Sequence, residues 1–354
     1  MHAPRSALLL LLALTPGCYT SHAVGGQLAI LWGRQPIDEV LAAGELPPEE
    51  LAKLRLVEQV RVFGVARCGL AESDSYTTYY RTEREYVAWN VSASEPDAFA
   101  PYVWSFPFVG QLPYKGWFRP EPALAEAAEL AAQGLDTLVL PVPAYSTLGW
   151  FDDPVFSGLL RDDEATLTET ILHEMTHATV FVSADADWNE NLATFVGQEG
   201  ARRFFLQRGG PDDPGLRALG RHLHDEALIN AALRELQQEL WRVYESCGSR
   251  RDKLLLKGAL LDRFRVRAAS ELRPRLLDPT RADFLIDPRT PLNNAYLLMV
   301  ARYHGDQGLF RELLAACAGD LATLVVQLEE LQDEEEPRAA ALERLKQLRA
   351  PRAE

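Results

Sequence analysis

Two histidines and a glutamate lie close together in the stretch TILHEMTHATVFV, which runs from Thr170 to Val182. His173 and His177 are four residues apart, so on a helix both imidazoles project from one face, one turn apart. That spacing lets both rings reach one zinc ion at ~2.0–2.1 Å, while Glu174 lies where it can take a proton from water. The pattern predicts a catalytic site with one zinc ion per chain. The alternative is a buried helix with two core histidines.

A catalytic zinc needs a third protein ligand, and the next segment, Ser183 to Gly200, supplies acidic candidates. No histidine follows at the metzincin spacing, which excludes that class. Glu190 begins a new helical pattern, and small Thr194 and Gly197 on its face would let two antiparallel helices pack closely. We therefore expect Glu190 to be the third ligand. The other candidates are Asp185, Asp187 and Glu199, and Glu190 could instead be a first-turn carboxylate of a helix capped by Asp187.

A zinc site that hydrolyses a carbonyl compound also needs a donor for the oxyanion that develops on the attacked carbonyl. Tyr145, Tyr296 and Tyr303 are candidates, and each could equally be an ordinary half-buried aromatic residue. Tyr145 follows a predicted strand and precedes the helix with the two histidines, so we predict it as a catalytic residue beside Glu174. Asn293 and Asn294 either hold a ligand in place or cap the helix that follows.

The composition indicates a folded protein that does not bind nucleic acid. The chain has 354 residues, of which 47% are hydrophobic and 25% charged, so a packed core is expected. The formal net charge is -15, whereas nucleic-acid binding requires basic patches that neutralise phosphates.

The first 17 residues are not expected to belong to the fold. Ala7 to Leu14 is an apolar run, too short for a membrane span and typical of a secretory signal. The following Thr-Pro-Gly-Cys resembles a bacterial lipoprotein cleavage site. This predicts residues 1–17 as a signal peptide and Cys18 as the lipidated residue, with the chain anchored to a membrane of the bacterial cell envelope. A plain signal peptide with an incidental cysteine is the alternative.

The remaining cysteines do not indicate a disulfide framework. Cys68, Cys247 and Cys317 are an odd and scattered set, and no Cys-x-x-Cys spacing points to a thiolate zinc site. One pair could form in an oxidising envelope, with the third thiol buried.

The N-terminal half combines helices with a small sheet. Residues 27–56 are predicted to be helical with a break near Gly44 and Pro47, and a helical period runs from Leu51 to Phe63. Aromatic and β-branched residues then predict strands within Tyr76–Ser94, Tyr102–Val109 and Thr137–Val142, with a helix over Glu121–Ala132 before the last one.

The pattern is helical from Asp162 onward, and Thr166-x-x-Glu169 predicts a capping box at the start of the first helix. Later helices are expected over Glu190–Arg208, Pro214–Val243, Arg251–Arg265, Leu292–Tyr303, Phe310–Cys317 and Asp320–Leu348. We predict a mostly helical α+β fold, with an α+β region at residues 24–160 and a helical zinc-binding region at residues 161–350.

A family resemblance rests on these motifs. His-Glu-x-x-His followed by Asn-Glu-x-x-Ala resembles the gluzincin peptidases, whose third zinc ligand is that glutamate, here Glu190. The chain also resembles the family of bacterial predicted zinc-dependent aminopeptidases, often lipoproteins. The stretches that carry this resemblance are GQLAILWGRQPIDEVL, YVAWNVSAS, FPFVGQLPYKGWF, PAYSTLGWFDDP, ILHEMTHATVFV, NENLATFVGQEG and LNNAYLLMVARYH, which cover nearly the whole mature chain in order.

The resemblance implies a zincin-like fold, peptide hydrolysis and a peptide substrate bound along an edge strand at Val142–Thr147. The Gly-x-Met-Glu-Asn motif, which binds the substrate's free amine in well-known gluzincin aminopeptidases, is absent. An endopeptidase therefore remains an alternative to the expected aminopeptidase. A non-catalytic envelope lipoprotein with a structural zinc is a further alternative, which Glu174 disfavours because a structural site needs no base.

Overall fold

The computed structural model of the protein describes residues 18–82, 84–106, 110–142, 152–183, 185–246, 248–305 and 307–350. Its residues are 66% helical, and the strands form sheets of two or three, so the predicted mostly helical α+β class is confirmed. No helix among these residues is long and apolar enough to cross a membrane.

The helices in chain order are α1 Cys18–Gly33, α2 Ile37–Ala43, α3 Pro48–Cys68, α4 Pro120–Ala132, α5 Glu164–Thr179, α6 Ala186–Gly209, α7 Pro214–Ser246, α8 Arg250–Arg267, α9 Asp283–Ile286, α10 Asn294–His304, α11 Gln307–Ala316, α12 Leu321–Glu329 and α13 Pro337–Arg349. The strands are β1 Gln35–Pro36, β2 Thr78–Tyr80, β3 Ala88–Ser94, β4 Trp104–Phe106, β5 Gly110–Leu112, β6 Lys115–Trp117, β7 Asp136–Val142 and β8 Val155–Phe156.

The longest strands, β3 and β7, pair in a small antiparallel sheet, in which β3 is the central strand. β3 pairs with β7 from Ala88 opposite Val142 to Ser94 opposite Asp136, and on its other side with β6. Val91 is fully buried and packs against α4, because alternate residues of a strand point to one face. β7 lies at the edge of this sheet within the described residues, a position that tolerates Pro141, which has no backbone N–H to donate. Two further short sheets have the orders β1-β2-β8 and β4-β5.

The main core lies around α5, the helix with the two histidines. Leu167, Ile171 and Leu172 are fully buried and share one cluster with residues of α3, α6, α11, α12 and α13. Glycines let the neighbouring helices approach closely: a Cβ at Gly64 on α3 or at Gly200 on α6 would lie within 3.0 Å of Leu172. Deep burial on three sides holds α5 rigidly, which is what a metal site requires of its scaffold.

The starts of α5 and α6 differ from the sequence prediction. α5 is capped by Asp163, whose side chain accepts from the Thr166 backbone N–H, so Thr166 lies inside the helix and the predicted capping box is wrong. α6 begins at Ala186 and is capped by Asp185 rather than Asp187. In both cases an aspartate two or three residues earlier accepts from the exposed N–H groups instead.

Helix α10 is anchored to the sheet by the two asparagines at its start. Asn293 caps the helix by accepting from the Tyr296 N–H and donates to the Thr137 carbonyl. Fully buried Asn294 donates to the carbonyls of Glu95 and Ala98. The capping alternative is therefore correct, and these bonds fix the position of α10 against β7.

Two of the four cysteines have described side chains, Cys68 and Cys317, and both are buried free thiols. Burial raises the pKa of the Cys68 thiol to about 12. A thiol that stays protonated is neither a good nucleophile nor a metal ligand, so Cys68 is a packing residue.

Candidate metal centre

A short turn between α5 and α6 brings the two helices side by side in opposite directions. The Asn189 side chain accepts from the Val182 N–H and donates to the Val182 carbonyl, at 2.9 and 2.8 Å. Trp188 is 2% exposed and packs against Phe310 of α11. These two residues lock the first turn of α6, and so determine where the next residue, Glu190, projects.

Gly197 sets the distance between the two helices. A Cβ at Gly197 would lie 2.9 Å from the Glu169 carbonyl oxygen and 3.2 Å from the Cβ of His173. Because these are backbone and Cβ atoms, they cannot move aside as the end of a flexible side chain could. The predicted close approach of the second helix is therefore present, and it occurs beside His173.

Gly197→Ala is expected to destabilise the protein by about 1–3 kcal/mol through overpacking, and to weaken zinc binding because His173 is displaced. Gly220→Ala on α7 is the matched control, since nothing lies within 4 Å of its Cβ position. There the better helix propensity of alanine should stabilise by about 0.5–1 kcal/mol. Thermal unfolding and zinc titration measure both effects; equal behaviour of the two variants contradicts the packing role of Gly197.

The structure brings His173, His177 and Glu190 to one point. The two Nε2 atoms are 3.1 Å apart, and Glu190 Oε2 lies 3.3 Å from His173 Nε2 and 3.5 Å from His177 Nε2. Ligand atoms at ~2.0–2.1 Å from a tetrahedral zinc lie about 3.3 Å from one another. The donor set and its spacing therefore fit a zinc ion.

The electrostatics of the three side chains are coupled. Burial opposes ionisation of Glu190, but the adjacent His177 and His173 imidazoles hold its pKa well below the usual range. Burial likewise disfavours the charged form of His177, and the carboxylate of Glu190 more than offsets this, so its pKa is raised. Glu190 is thus an anion in a buried position, where a cation stabilises it strongly.

Two polar atoms beside this point lack any hydrogen-bond partner in the described part of the chain. They are Glu174 Oε2 and His177 Nδ1, and both are buried. Unpartnered buried oxygens are rare and need a reason, such as a water or substrate at a reactive site. Glu174 therefore has the position and the free oxygen that a general base requires.

The other sequence candidates for the third ligand lie elsewhere. Asp185 caps α6, Asp187 pairs with Arg302, and Glu199 binds Arg202 and Arg203. None of them belongs to the group of metal-binding side chains found among the described residues.

Of the tyrosine candidates, Tyr303 lies at the site. Its ring stacks on the His173 ring with centroids 6.2 Å apart, and burial and the Glu190 charge raise the pKa of its hydroxyl. Tyr296 instead stacks on Phe284 in a second hydrophobic core, which contains residues of α7, α8, α9 and α10. Tyr145 lies outside the described residues, as does most of the predicted substrate strand Val142–Thr147.

Sequence reasoning missed Tyr114 and Tyr76. The pKa of Tyr114 is raised by burial, then by the Glu190 charge, with a smaller contribution from Glu174. Tyr76 is 3% exposed, and its pKa is raised by burial and next by the Glu174 charge. Its φ of 60° is unfavourable for a side chain by about 1–2 kcal/mol, a strain typical of functional positions. Both residues lie in loops that are far in sequence from the two histidines, so no local signal connects them with the site.

Glu169, one helical turn before His173 on α5, belongs to a separate cluster of polar side chains that come from four helices. Gln198 donates to the Glu226 carboxylate at 3.3 Å, and His304 Nδ1 lies 3.1 Å from Glu226 Oε1. Burial and the neighbouring Glu226 charge raise the pKa of Glu169 to about 8. Burial lowers the pKa of His304 to about 4, with a smaller contribution from Arg234.

Glu169→Gln is expected to stabilise the protein in a pH-dependent way. The folded-state pKa of Glu169 exceeds its unfolded value, so the wild type loses stability as pH rises from about 4.5 to about 8. Glutamine does not titrate. The variant should therefore gain several degrees in Tm at pH 9 and almost none at pH 4.5. Exposed Glu129→Gln is the control, and thermal melts across this range decide: a pH-independent difference contradicts the prediction.

The fold and the site together define a mostly helical α+β protein in which a His-Glu-x-x-His helix and the carboxylate of Glu190 meet at one point. A family model described as "Putative aminopeptidase" matches residues 18–342. The chain belongs to this family, whose description indicates peptidases. No curated protein and no solved structure matches the chain.

Proposed function

We propose that the protein is a zinc-dependent aminopeptidase with a zincin-like fold. The observation that carries this proposal is the convergence of His173, His177 and Glu190 at tetrahedral spacing beside the unpartnered Glu174 oxygen. A structural zinc site needs no such base and usually has a fourth protein ligand, whereas this group of side chains contains three. The family description supports the peptidase class independently.

His173, His177 and Glu190 would hold the ion. Zinc, when bound there, supplies a Lewis acid that polarises the scissile carbonyl and makes water more acidic. Glu174 Oε2 accepts the proton of the attacking water and then passes it to the nitrogen of the leaving amine, so that a neutral amine departs. Burial around the site excludes bulk water, which strengthens each of these interactions.

The Tyr303 hydroxyl is the best-placed protein donor for the oxyanion among the described tyrosines. Its ring is fixed against His173, and the raised pKa keeps the phenol protonated and able to donate. Tyr114, which is affected by the same Glu190 charge, is the second candidate. Tyr145 remains a sequence prediction for this role.

Matched peptides with a free or an acetylated N-terminus test the proposal. The zinc-loaded protein should release the first residue of the free peptide, and acetylation should abolish this cleavage. Mass spectrometry of the products distinguishes the outcomes. Equal cleavage of both peptides supports an endopeptidase instead, and no cleavage of any peptide by the zinc-loaded protein contradicts the peptidase proposal.

We further propose that the chain acts in the bacterial cell envelope, anchored by a lipid on Cys18. The support is the apolar signal-like segment before Cys18; the family match also begins at residue 18. Metabolic labelling with an alkyne fatty acid should mark the wild type and not Cys18→Ser. A wild type that takes up no label contradicts the anchor.

A further inference from the structure

Arg302 is a buried cation beside the candidate metal centre. It is 5% exposed and immediately precedes Tyr303, whose ring stacks on His173. Consecutive residues on a helix point about 100° apart, so Arg302 projects from α10 next to the face that covers the centre. Its backbone carbonyl accepts from the Asn191 side chain at 2.6 Å, which ties this point of α10 to the first turns of α6.

The guanidinium uses only a small part of its hydrogen-bonding capacity. Nε donates to Asp187 Oδ1 at 2.9 Å, and the Asp187 side chain is 69% exposed. A guanidinium has five N–H donors. In the described part of the chain the two Nη groups of Arg302 have no acceptor, and neither is among the fully enclosed atoms without a partner. The Nη groups therefore face accessible space although the residue is buried.

The guanidinium lies beside an aromatic side chain near the metal-binding group. The Arg302 guanidinium carbon lies 5.4 Å from the centre of the Tyr114 ring. Burial raises the pKa of the Tyr114 and Tyr303 hydroxyls, the Glu190 charge adds to this, and the Arg302 charge opposes it. Tyr303 covers His173 and Arg302 packs over Tyr114, so these side chains lie beside the metal-binding group.

The structural contacts of Arg302, which are the Nε bond to Asp187 and the packing of the guanidinium over the Tyr114 ring, leave its Nη donors unused. An ion pair built for stability would use the planar pair of Nη donors against a carboxylate in two parallel bonds. Here a single Nε bond reaches a solvent-exposed partner, and such a pair contributes little. The unused donors are those whose geometry matches a planar carboxylate.

We propose that Arg302 binds the free C-terminal carboxylate of a short peptide substrate through its Nη groups. This rests on the proposed peptidase function. The free carboxylate is always on the leaving-group side of the scissile bond, and an extended residue spans about 3.3–3.6 Å. Arg302 is the chain neighbour of Tyr303, which covers His173, so the carboxylate it binds belongs to a peptide with only one or two residues after the scissile bond. The enzyme then prefers di- and tripeptides to long chains.

Kinetics on three matched tripeptides test this: a free acid, its C-terminal amide, and an amide with glutamate after the scissile bond. The wild-type kcat/KM for the free acid should exceed that for the plain amide by about 10- to 100-fold. In Arg302→Met this ratio should fall to about one, and Arg302→Lys should keep part of it. Arg265→Met is the control, since Arg265 binds the carbonyls of Leu285 and Thr290 in the second core, and should retain the wild-type ratio.

The proposal is overturned if the wild type has about the same kcat/KM for the plain amide as for both peptides that carry a carboxylate. It is also overturned if Arg302→Met keeps the wild-type preference for the free acid. If the wild type prefers only the glutamate-containing amide over the plain amide, and Arg302→Met loses this preference, Arg302 binds a side-chain carboxylate of the substrate rather than its C-terminus. Calorimetric binding of the same peptides to zinc-loaded Glu174→Gln protein, with and without Arg302→Met, needs no turnover. It therefore separates failure of this proposal from failure of the peptidase function.

Discussion

Glu174→Gln is expected to abolish peptide hydrolysis while leaving zinc binding intact. Glutamine matches glutamate in shape but cannot take a proton from water, and a general base contributes about 10²–10⁴-fold to rate. The Oε2 atom of Glu174 has no hydrogen-bond partner in the described structure, so the substitution breaks no bond of that atom. The kcat on an unblocked peptide and the zinc content per chain measure the two parts of the prediction.

Glu199→Gln is a suitable control for this experiment. Glu199 lies on α6 and binds Arg202 and Arg203 rather than the metal-binding group, so the variant should keep both zinc and activity. A Glu174→Gln protein that holds zinc and turns over at the wild-type rate would show that another group is the base. Activity lost equally in both variants would indicate a general structural effect.

Glu190→Ala is expected to remove zinc binding and the stability that zinc confers. A ligand that binds only the folded state stabilises it by about 2.7 kcal/mol at 100 times its Kd. Zinc should therefore raise the Tm of the wild type and of Glu174→Gln by several degrees. Without Glu190 only two histidines remain, which do not hold a catalytic zinc. Melting curves with and without zinc, together with metal analysis, provide the measurement.

The prediction concerns the change in Tm that zinc causes, rather than the Tm of each protein without zinc. Removing Glu190 also removes the charge that raises the pKa of His177, so the metal-free variant has a different baseline. Glu199→Ala provides the comparison, because it deletes a carboxylate of the same helix and should keep the full zinc response. Full zinc binding by Glu190→Ala would exclude Glu190 as a ligand.

Helices and strands could be predicted well from the sequence wherever the pattern that indicates them is local. The helix over Glu121–Ala132 is present at Pro120–Ala132 and is followed by Gly134 with a φ of 89°, the stop that the sequence indicates. The strand at Thr137–Val142 is present at Asp136–Val142. Periodicity and the conformational freedom of glycine act within a few residues, so no tertiary information is needed to find them.

Helix starts were predicted less well, because several polar residues compete to cap them. Asp163 and Asp185 cap α5 and α6, one turn before or two residues before the positions expected from sequence. The first turns of α6 contain Trp188 and Asn189, which break a simple apolar period. Their side chains are held by Phe310 and by the backbone of Val182, and these contacts exist only in the folded chain.

The sequence by itself determined the pair of histidines, the glutamate between them and the expectation that Glu190 is the third ligand, because i, i+4 spacing on a helix is local geometry. Only the tertiary structure decided that Glu190 Oε2 lies 3.3 Å from His173 Nε2, since Gly197 and the Asn189 turn set the helix spacing. Likewise, only folding brings Tyr114, Tyr303 and Arg302 together. They meet through the packing of α10 against α6 and the sheet, a contact between segments almost 200 residues apart that no local pattern encodes.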